Sequence, residues 1–395
     1  MNSKKLLCLL PCLLLTLSGC SSDPATADPA GDGGAVGQQV RFSATRSETS
    51  GEQVLAEGAF GVMAWIRDSV ETAEGSGLYD YTDRPWVGSE YPDGTCLAEV
   101  VYYRGGDLKM WTTAKDYYWP ARYYACDFFA FYPASAAAVT AGQRNGTERP
   151  ARYISYTAAA DNQTDLMVAA GMSKKGYAAY DATQAGGSGG LMRLTFHHAL
   201  SRVAFAARRT AATAPDPDFS VTVTSVAVGN ASRQATFHYH ELPNTPGTAA
   251  TVGWWSDRTA PAETIVYSST TGVTLTDAGT VYPLNDDGDN PPSMLIPQTL
   301  IAWDRTTAVG STTGNYLKIG CRITVEGYDG NFADEGYIYV PLNGTWEMGN
   351  DYTYTLNFGT AFDSQGRPTL QPITVTATVT PWATAVSQAI DPGWI

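Results

Sequence analysis

Chemistry in a chain of 395 residues should show in its histidines, acids and thiols, and here only four histidines and six cysteines are present. His238 and His240 stand two apart in Phe237-His238-Tyr239-His240-Glu241. On a strand that spacing points both rings to one face, the beginning of a metal site, although a solvated strand face is the simpler account. His197 and His198 are adjacent, so on a strand they face opposite ways and are poorly placed to share one ion. Gly186-Gly187-Ser188-Gly189-Gly190 fits GxSxG. A nucleophile elbow needs a strand before it and a helix after it, and a glycine run meets the pattern by composition alone. The acidic stretch Asp286-Asp287-Gly288-Asp289-Asn290 offers hard oxygen ligands for Ca²⁺ without the twelve-residue EF-hand pattern, so a solvated turn explains it as well. These residues assemble no catalytic constellation and imply no cofactor, and the chain is not expected to be an enzyme.

One thiol has a clear chemical setting. Lys4 and Lys5 precede an apolar stretch, Leu6 to Leu17, that contains Pro11 and ends in Leu17-Ser18-Gly19-Cys20. The stretch is shorter than the ~20 residues of a membrane span. Leu-Ser-Gly-Cys looks like a bacterial lipobox, in which small residues admit a protease and the cysteine thiol carries diacylglycerol. Residues 1–19 then read as a lipoprotein signal peptide and Cys20 as the lipidated residue. Residues 20–38 are small and polar, a composition that buries too little surface to fold, and read as a flexible leash. Cys8 and Cys12 leave with the signal, so Cys96, Cys126 and Cys321 remain, an odd number without CxxC spacing. Buried free thiols suit them, with one disulfide as the alternative.

The elements that must position any site are strands. The chain has 39 Gly and 22 Pro against 44% hydrophobic residues, too many turn-formers for a mostly helical protein and too much core material for a disordered one. Period-two alternation runs from residue 39 onward: Leu317, Ile319, Cys321, Ile323 and Val325 share one face, and Tyr352, Tyr354, Leu356 and Phe358 another. Further strands are expected at 60–67, 97–104, 124–132, 191–208, 221–228 and 337–342. Ser173–Gln184 and Ala383–Ile390 are the candidates for a short helical turn. Many short strands between Gly, Pro and Asn turns indicate β-sandwiches. The glycine run at 186–190 is the expected interdomain break, giving an N-terminal domain at 39–188 and a C-terminal domain at 189–395, each long enough for a core. Charge excludes one partner class: 25 basic against 39 acidic residues give −14, which repels nucleic acid.

The densest aromatic tract is Tyr117-Tyr118-Trp119-Pro120, Tyr123-Tyr124 and Phe128-Phe129-Ala130-Phe131-Tyr132-Pro133. Aromatic faces stack on sugars, yet apolar residues on both parities of 126–131 describe a strand covered on both faces. At this tract a resemblance emerges. The lipobox, Thr45-Arg46, Tyr118-Trp119-Pro120, Asp127-Phe128-Phe129-Ala130-Phe131-Tyr132-Pro133, Gln163-Thr164-Asp165-Leu166-Met167-Val168-Ala169 and Leu194-Thr195-Phe196-His197-His198-Ala199-Leu200-Ser201-Arg202-Val203 follow one another in order. With Tyr352-Thr353-Tyr354-Thr355-Leu356 and Trp382, the chain resembles the fimbrillin-like lipoproteins of Bacteroidetes, the Mfa-like group that builds type V pili. That resemblance implies an all-β fold of two transthyretin-like β-sandwich domains in tandem. It also implies export to the outer membrane as a lipoprotein, display at the cell surface in a fimbria (pilus), and assembly by donor-strand exchange. A processing protease removes the first strand, and another pilin subunit's strand fills the vacated slot.

The residues permit that mechanism. Val40, Phe42 and Ala44 alternate with Arg41, Ser43 and Thr45, as in a removable strand burying one face. Arg46 precedes the polar run Ser47-Glu48-Thr49-Ser50-Gly51-Glu52, which suits an exposed loop cut between Arg46 and Ser47. At the other end Ile373, Val375, Ala377 and Val379 alternate with threonines, a candidate donor strand. Asp68-Ser69-Val70 resembles the O-glycosylation acceptor pattern of exported proteins in that phylum, which would place a glycan on Ser69. The leading expectation is a structural or adhesive fimbrial subunit, with a host or bacterial surface ligand as a further expected partner. The alternative is a surface glycan-binding lipoprotein of a nutrient-uptake system, which would expose a row of aromatics.

Overall fold

The fold is described by a computed structural model covering residues 39–382 apart from 49–50, 56, 68–84, 92–95, 106–110, 120–124, 136–138, 142–151, 160, 162, 175–190, 212–217, 241–251, 287, 327–335, 363–367 and 371–372. Residues 1–38 with Cys20, Ser69, and the glycine run around Ser188 therefore lie outside the described residues, as do most of 173–184 and all of 383–390.

The described residues are all-β with helix nearly absent. The first strands are β1 (Arg41–Glu48), β2 (Gly51–Val54), β3 (Ala59–Arg67), β4 (Ser89–Glu90), β5 (Cys96–Leu97), β6 (Glu99–Tyr103), β7 (Trp111–Thr113) and β8 (Ala125–Tyr132). After them come β9 (Val139–Ala141), β10 (Tyr153–Thr157), β11 (Met167–Lys174), β12 (Leu191–His198), β13 (Ser201–Arg209), β14 (Phe219–Tyr239) and β15 (Gly253–Leu275). The remainder are β16 (Tyr282–Pro283), β17 (Ser293–Leu295), β18 (Thr299–Leu300), β19 (Tyr316–Val325), β20 (Tyr337–Pro341), β21 (Gly344–Thr345), β22 (Asn350–Phe358), β23 (Thr360–Phe362), β24 (Pro368–Leu370) and β25 (Thr374–Pro381).

The largest sheet runs β12-β11-β8-β3-β6-β7-β1-β2, and a further pairing of β1 with β12 joins its ends into a closed circuit. Closure removes exposed edges, and here the closing strand is β1. Inside the circuit lie Phe42, Phe60, Trp111, Phe128 and Phe196, all fully buried. The pleat of β8 explains its doubly apolar sequence: Cys126, Phe128 and Ala130 enter this interior while Phe129 and Phe131 pack outside it against Ile154, Phe237 and Trp255. Residues 126–131 of the aromatic tract are thus core, as their two-parity pattern indicates.

A second sheet, β20-β19-β14-β10-β9 with β15 beside β14, faces the third, β16-β13-β22-β25, across a core of Val221, Val223, Leu317, Ile319, Phe205 and Leu356. Both sheets bury alternating residues of their strands, in keeping with the period read from 317–325 and 352–358. The strand expected over 191–208 is broken at Ala199–Leu200, where the chain passes from the first sheet to the third. Consequently β12, which a boundary at 188/189 assigns to the C-terminal domain, hydrogen-bonds into the first sheet beside β1 and β11. β10 crosses the other way, pairing with the far end of β14.

β14 and β15 form one long antiparallel ribbon serving two cores, with Val221 to Ala231 in one and Ala235, Phe237 and Tyr239 in the other. The ribbon bends where Asn230 takes φ 61°, and its amide donates to the carbonyls of Thr312 and Gly314. A short polar side chain tolerates that left-handed backbone better than most residues.

Candidate functional site

The slot occupied by β1 is the best-defined candidate. Along its length β1 is hydrogen-bonded on both sides. Arg41–Arg46 run parallel to Leu191–Phe196 of β12, while Phe42 pairs with Trp111 of β7 and Thr45–Glu48 with Gly51–Val54 of β2. The N–H of Val40 donates to the Tyr117 carbonyl at 2.7 Å, and the N–H of Leu55 to the Ala44 carbonyl at 3.0 Å. Val40, Phe42 and Ala44 are buried to 1%, 0% and 1% exposure. The Phe42 ring meets Phe60 and Phe128 edge-on at 5.7 and 5.9 Å. Edge-to-face contacts at this range add to area burial and fix ring orientation, so Phe42 sits in a shaped pocket.

Arg46 and Ser47 are not in a loop. β1 continues to Glu48, and Arg46 is matched to Phe196 on one side and Gln53 on the other. The polar run after Arg46 reads in sequence as open chain because Ser, Glu and Thr favour exposure. Pairing of Thr45–Glu48 with Gly51–Val54 overrides that preference.

β25 is built differently. It pairs only with β22 among the described residues and leaves its other edge open. Ile373 just before it is buried, Val375 is partly covered, Ala377 is exposed and Val379 is 52% exposed. Its far end is pinned by Trp382, whose ring lies flat on His198 at 4.1 Å with an 11° interplanar angle and whose N–H donates to Gly349. His198 in turn holds Asp165 through Nδ1 at 3.0 Å. That anchor was not legible beforehand, since it joins residues far apart in sequence.

Residues 45–382 match the fimbrillin-like family. The chain belongs to that family. This fimbrillin-like chain is also similar to solved structures. A fimbrial protein from Bacteroides vulgatus shares 15% identity at a TM-score of 0.53, over 88% of this chain and 100% of that one. A putative cell adhesion protein from Bacteroides uniformis shares 16% identity at a TM-score of 0.43, over 87% and 98%. The fimbrial anchor protein Mfa2 from Porphyromonas gingivalis shares 10% identity at 0.36, over 87% and 99%. No curated protein matches. The first likeness shows a common fold along nearly the whole described length.

The remaining candidates of this fimbrillin-like chain have local explanations. Cys96, Cys126 and Cys321 are free and buried. Burial raises the Cys126 thiol, helped by Asp127, and pushes the Cys321 thiol up to about 12, so neither is a nucleophile at neutral pH. Oδ1 of Asp286 accepts the N–H groups of Gly288 and Asn290, which holds the loop as a turn. His238 packs between Tyr153 and Trp254, and Trp254 also meets His240 at 4.7 Å.

One Ser-His-Asp group does occur, and sequence spacing did not suggest it. His238 Nε2 lies 2.7 Å from Ser256 Oγ, while Ser256 donates to Asp257 at 2.8 Å. A serine that gives its proton to the carboxylate must receive one from the imidazole. The histidine is therefore a donor rather than a base toward it, the reverse of a hydrolytic triad.

Proposed function

We propose that this chain is a structural or adhesive subunit of a cell-surface fimbria, exported to the outer membrane as a lipoprotein on Cys20 and assembled by strand exchange. Cleavage between Arg46 and Ser47 by an arginine-cutting protease frees β1, and a strand from another subunit enters its place. Within this reading the body is two transthyretin-like sandwiches, with the division at 199–200 rather than 188/189, and Ser69 is an O-glycosylation acceptor.

The observation that carries the reading is the double role of β1, which closes the circuit and fills the core. Its departure leaves two unpaired strand edges flanking an apolar trough, a surface that cannot stay open in water. Val40 and Phe42 supply about 3 to 6 kcal/mol by burial before ordering costs, a magnitude suited to a lasting joint. A precursor should therefore arrive with the slot filled. β25, with most of its side chains already exposed between the anchors Ile373 and Trp382, is the candidate donor through Ile373, Val375, Ala377 and Val379.

Protein sheared from cells and sequenced from its N-terminus tests the processing step. A start at Ser47 is expected in assembled material. Assembled material that uniformly retains an acylated Cys20 would overturn it.

A further inference from the structure

The slot and the strand offered as donor do not match each other. Occupied by β1, the slot takes an aliphatic residue, then an aromatic, then a small one: Val40, Phe42 and Ala44, all fully buried. Its centre is the Phe42 pocket, lined by Phe60 and Phe128 edge-on, Trp111 across one strand pair and Met192 across the other.

β25 can be laid into the slot in several registers, and none fills that centre. Setting Ile373, Val375 and Ala377 on Val40, Phe42 and Ala44 agrees in order of size, yet puts a valine where the phenyl ring stood. Sliding by two residues puts Ala377 or Ile373 there instead. With Ile373 at the centre, Gln371 occupies a buried end. Trp382 belongs to the other parity. Bringing it to the Phe42 position would bury Thr380 and Thr384 where Val40 and Ala44 sit, leaving their hydroxyls without partners. A valine at the centre would strip three aromatic neighbours of their contacts and leave a void that rigid flanking strands cannot close.

Resting on the strand-exchange reading above, we propose that the β1 slot selects a donor strand with an aromatic side chain at the Phe42 position, so that this chain accepts its donor from a different subunit rather than from β25 of a second copy. The partner is recognisable by chemistry: an extended segment with the alternation aliphatic, aromatic, small on one face and polar residues on the other. Assembly order then follows from side-chain volume, because like copies are disfavoured at this joint and an unlike copy is not.

The test uses the full chain nicked after Arg46 by brief trypsin treatment and checked by intact mass. Three fluorescent peptides are titrated: residues 38–47, residues 372–382, and residues 372–382 carrying Val375→Phe. Binding of the first and third at least tenfold tighter than the second is expected. Equal binding of the second and third overturns the selectivity while leaving strand exchange intact. Failure of the nicked chain to take up residues 38–47 overturns both. A second arm needs no peptide. In the intact chain Phe42→Val sets the donor's own residue in the pocket and should speed tryptic release of β1 at least tenfold, and unchanged release overturns the proposal.

Discussion

At the scale of single residues, burial separates side chains that neighbouring sequence makes look alike. Phe42 fills the slot and Tyr118 lies at its end, since Gln39 bridges to Tyr118 and Val40 to Tyr117, but Phe42 is fully buried and Tyr118 is 52% exposed. Truncating a core phenylalanine removes its transfer free energy and leaves a cavity, so Phe42→Ala should cost about 3 to 5 kcal/mol. Tyr118→Ala should fall within about 0.5 kcal/mol of the parent. Urea unfolding of the two variants side by side checks the contrast. Equal losses would mean that the Phe42 pocket collapses around the gap, or that the Tyr118 ring packs more than its exposure shows. The buried set Val40, Phe42 and Ala44 was legible because alternation reports which face turns inward. The identity of the pocket walls was not, because Phe60, Trp111 and Phe128 come from three other strands.

Strands as units show where sequence reading works and where it stops. β3, β8, β19 and β22 lie where alternation or two-sided apolarity places them, because each buries its faces in the usual way. β15 is not legible in the sequence because most of its residues are exposed and its pattern is broken by Asp257 and Ala260 at positive φ, by Pro261 and by Gly272. Those same irregularities, with the register shifts against β14, disfavour regular pairing of β15 with other chains. β25, which pairs only with β22 among the described residues, has only Thr, Val and Ala before Pro381 and carries no such irregularity. β1 differs again, because its scissile bond is embedded in a hairpin. A protease needs an extended chain free of its ladder, so the β1–β2 hairpin must open before the Arg46–Ser47 bond is reached. Gln53→Pro, which removes the N–H of the residue matched to Arg46 and disfavours pairing there, should raise the tryptic cleavage rate at Arg46 at least tenfold. Time-resolved intact mass measures it, and an unchanged rate would mean that the bond is attacked with the hairpin closed.

At the scale of the whole molecule, the two cores share the β14–β15 ribbon and are packed with phenols and thiols whose ionisation the interior resists. Burial raises Cys126 and Tyr239, lifts Cys321 from 9.0 to about 12, and lifts Tyr156 from 10.0 to about 12. In each case the folded state holds its proton more tightly than the unfolded chain does. The stability these groups contribute is complete below pH 9 and declines as pH rises toward 12, since the unfolded chain then gains from ionising what the fold keeps neutral. Cys321 and Tyr156 together should remove on the order of 4 kcal/mol by pH 11. Because Cys321 lies in the core between the second and third sheets and Tyr156 packs outside the first, both regions should weaken in one transition coupled through β14. Urea midpoints at pH 8 and pH 11, read by near-ultraviolet circular dichroism, should show the fall. Tyr156→Phe should recover its own share of about 1.4 kcal/mol at the higher pH. A midpoint indifferent to pH over that range would mean that solvent reaches these groups in the folded protein, and the close packing assigned to both cores would have to be abandoned.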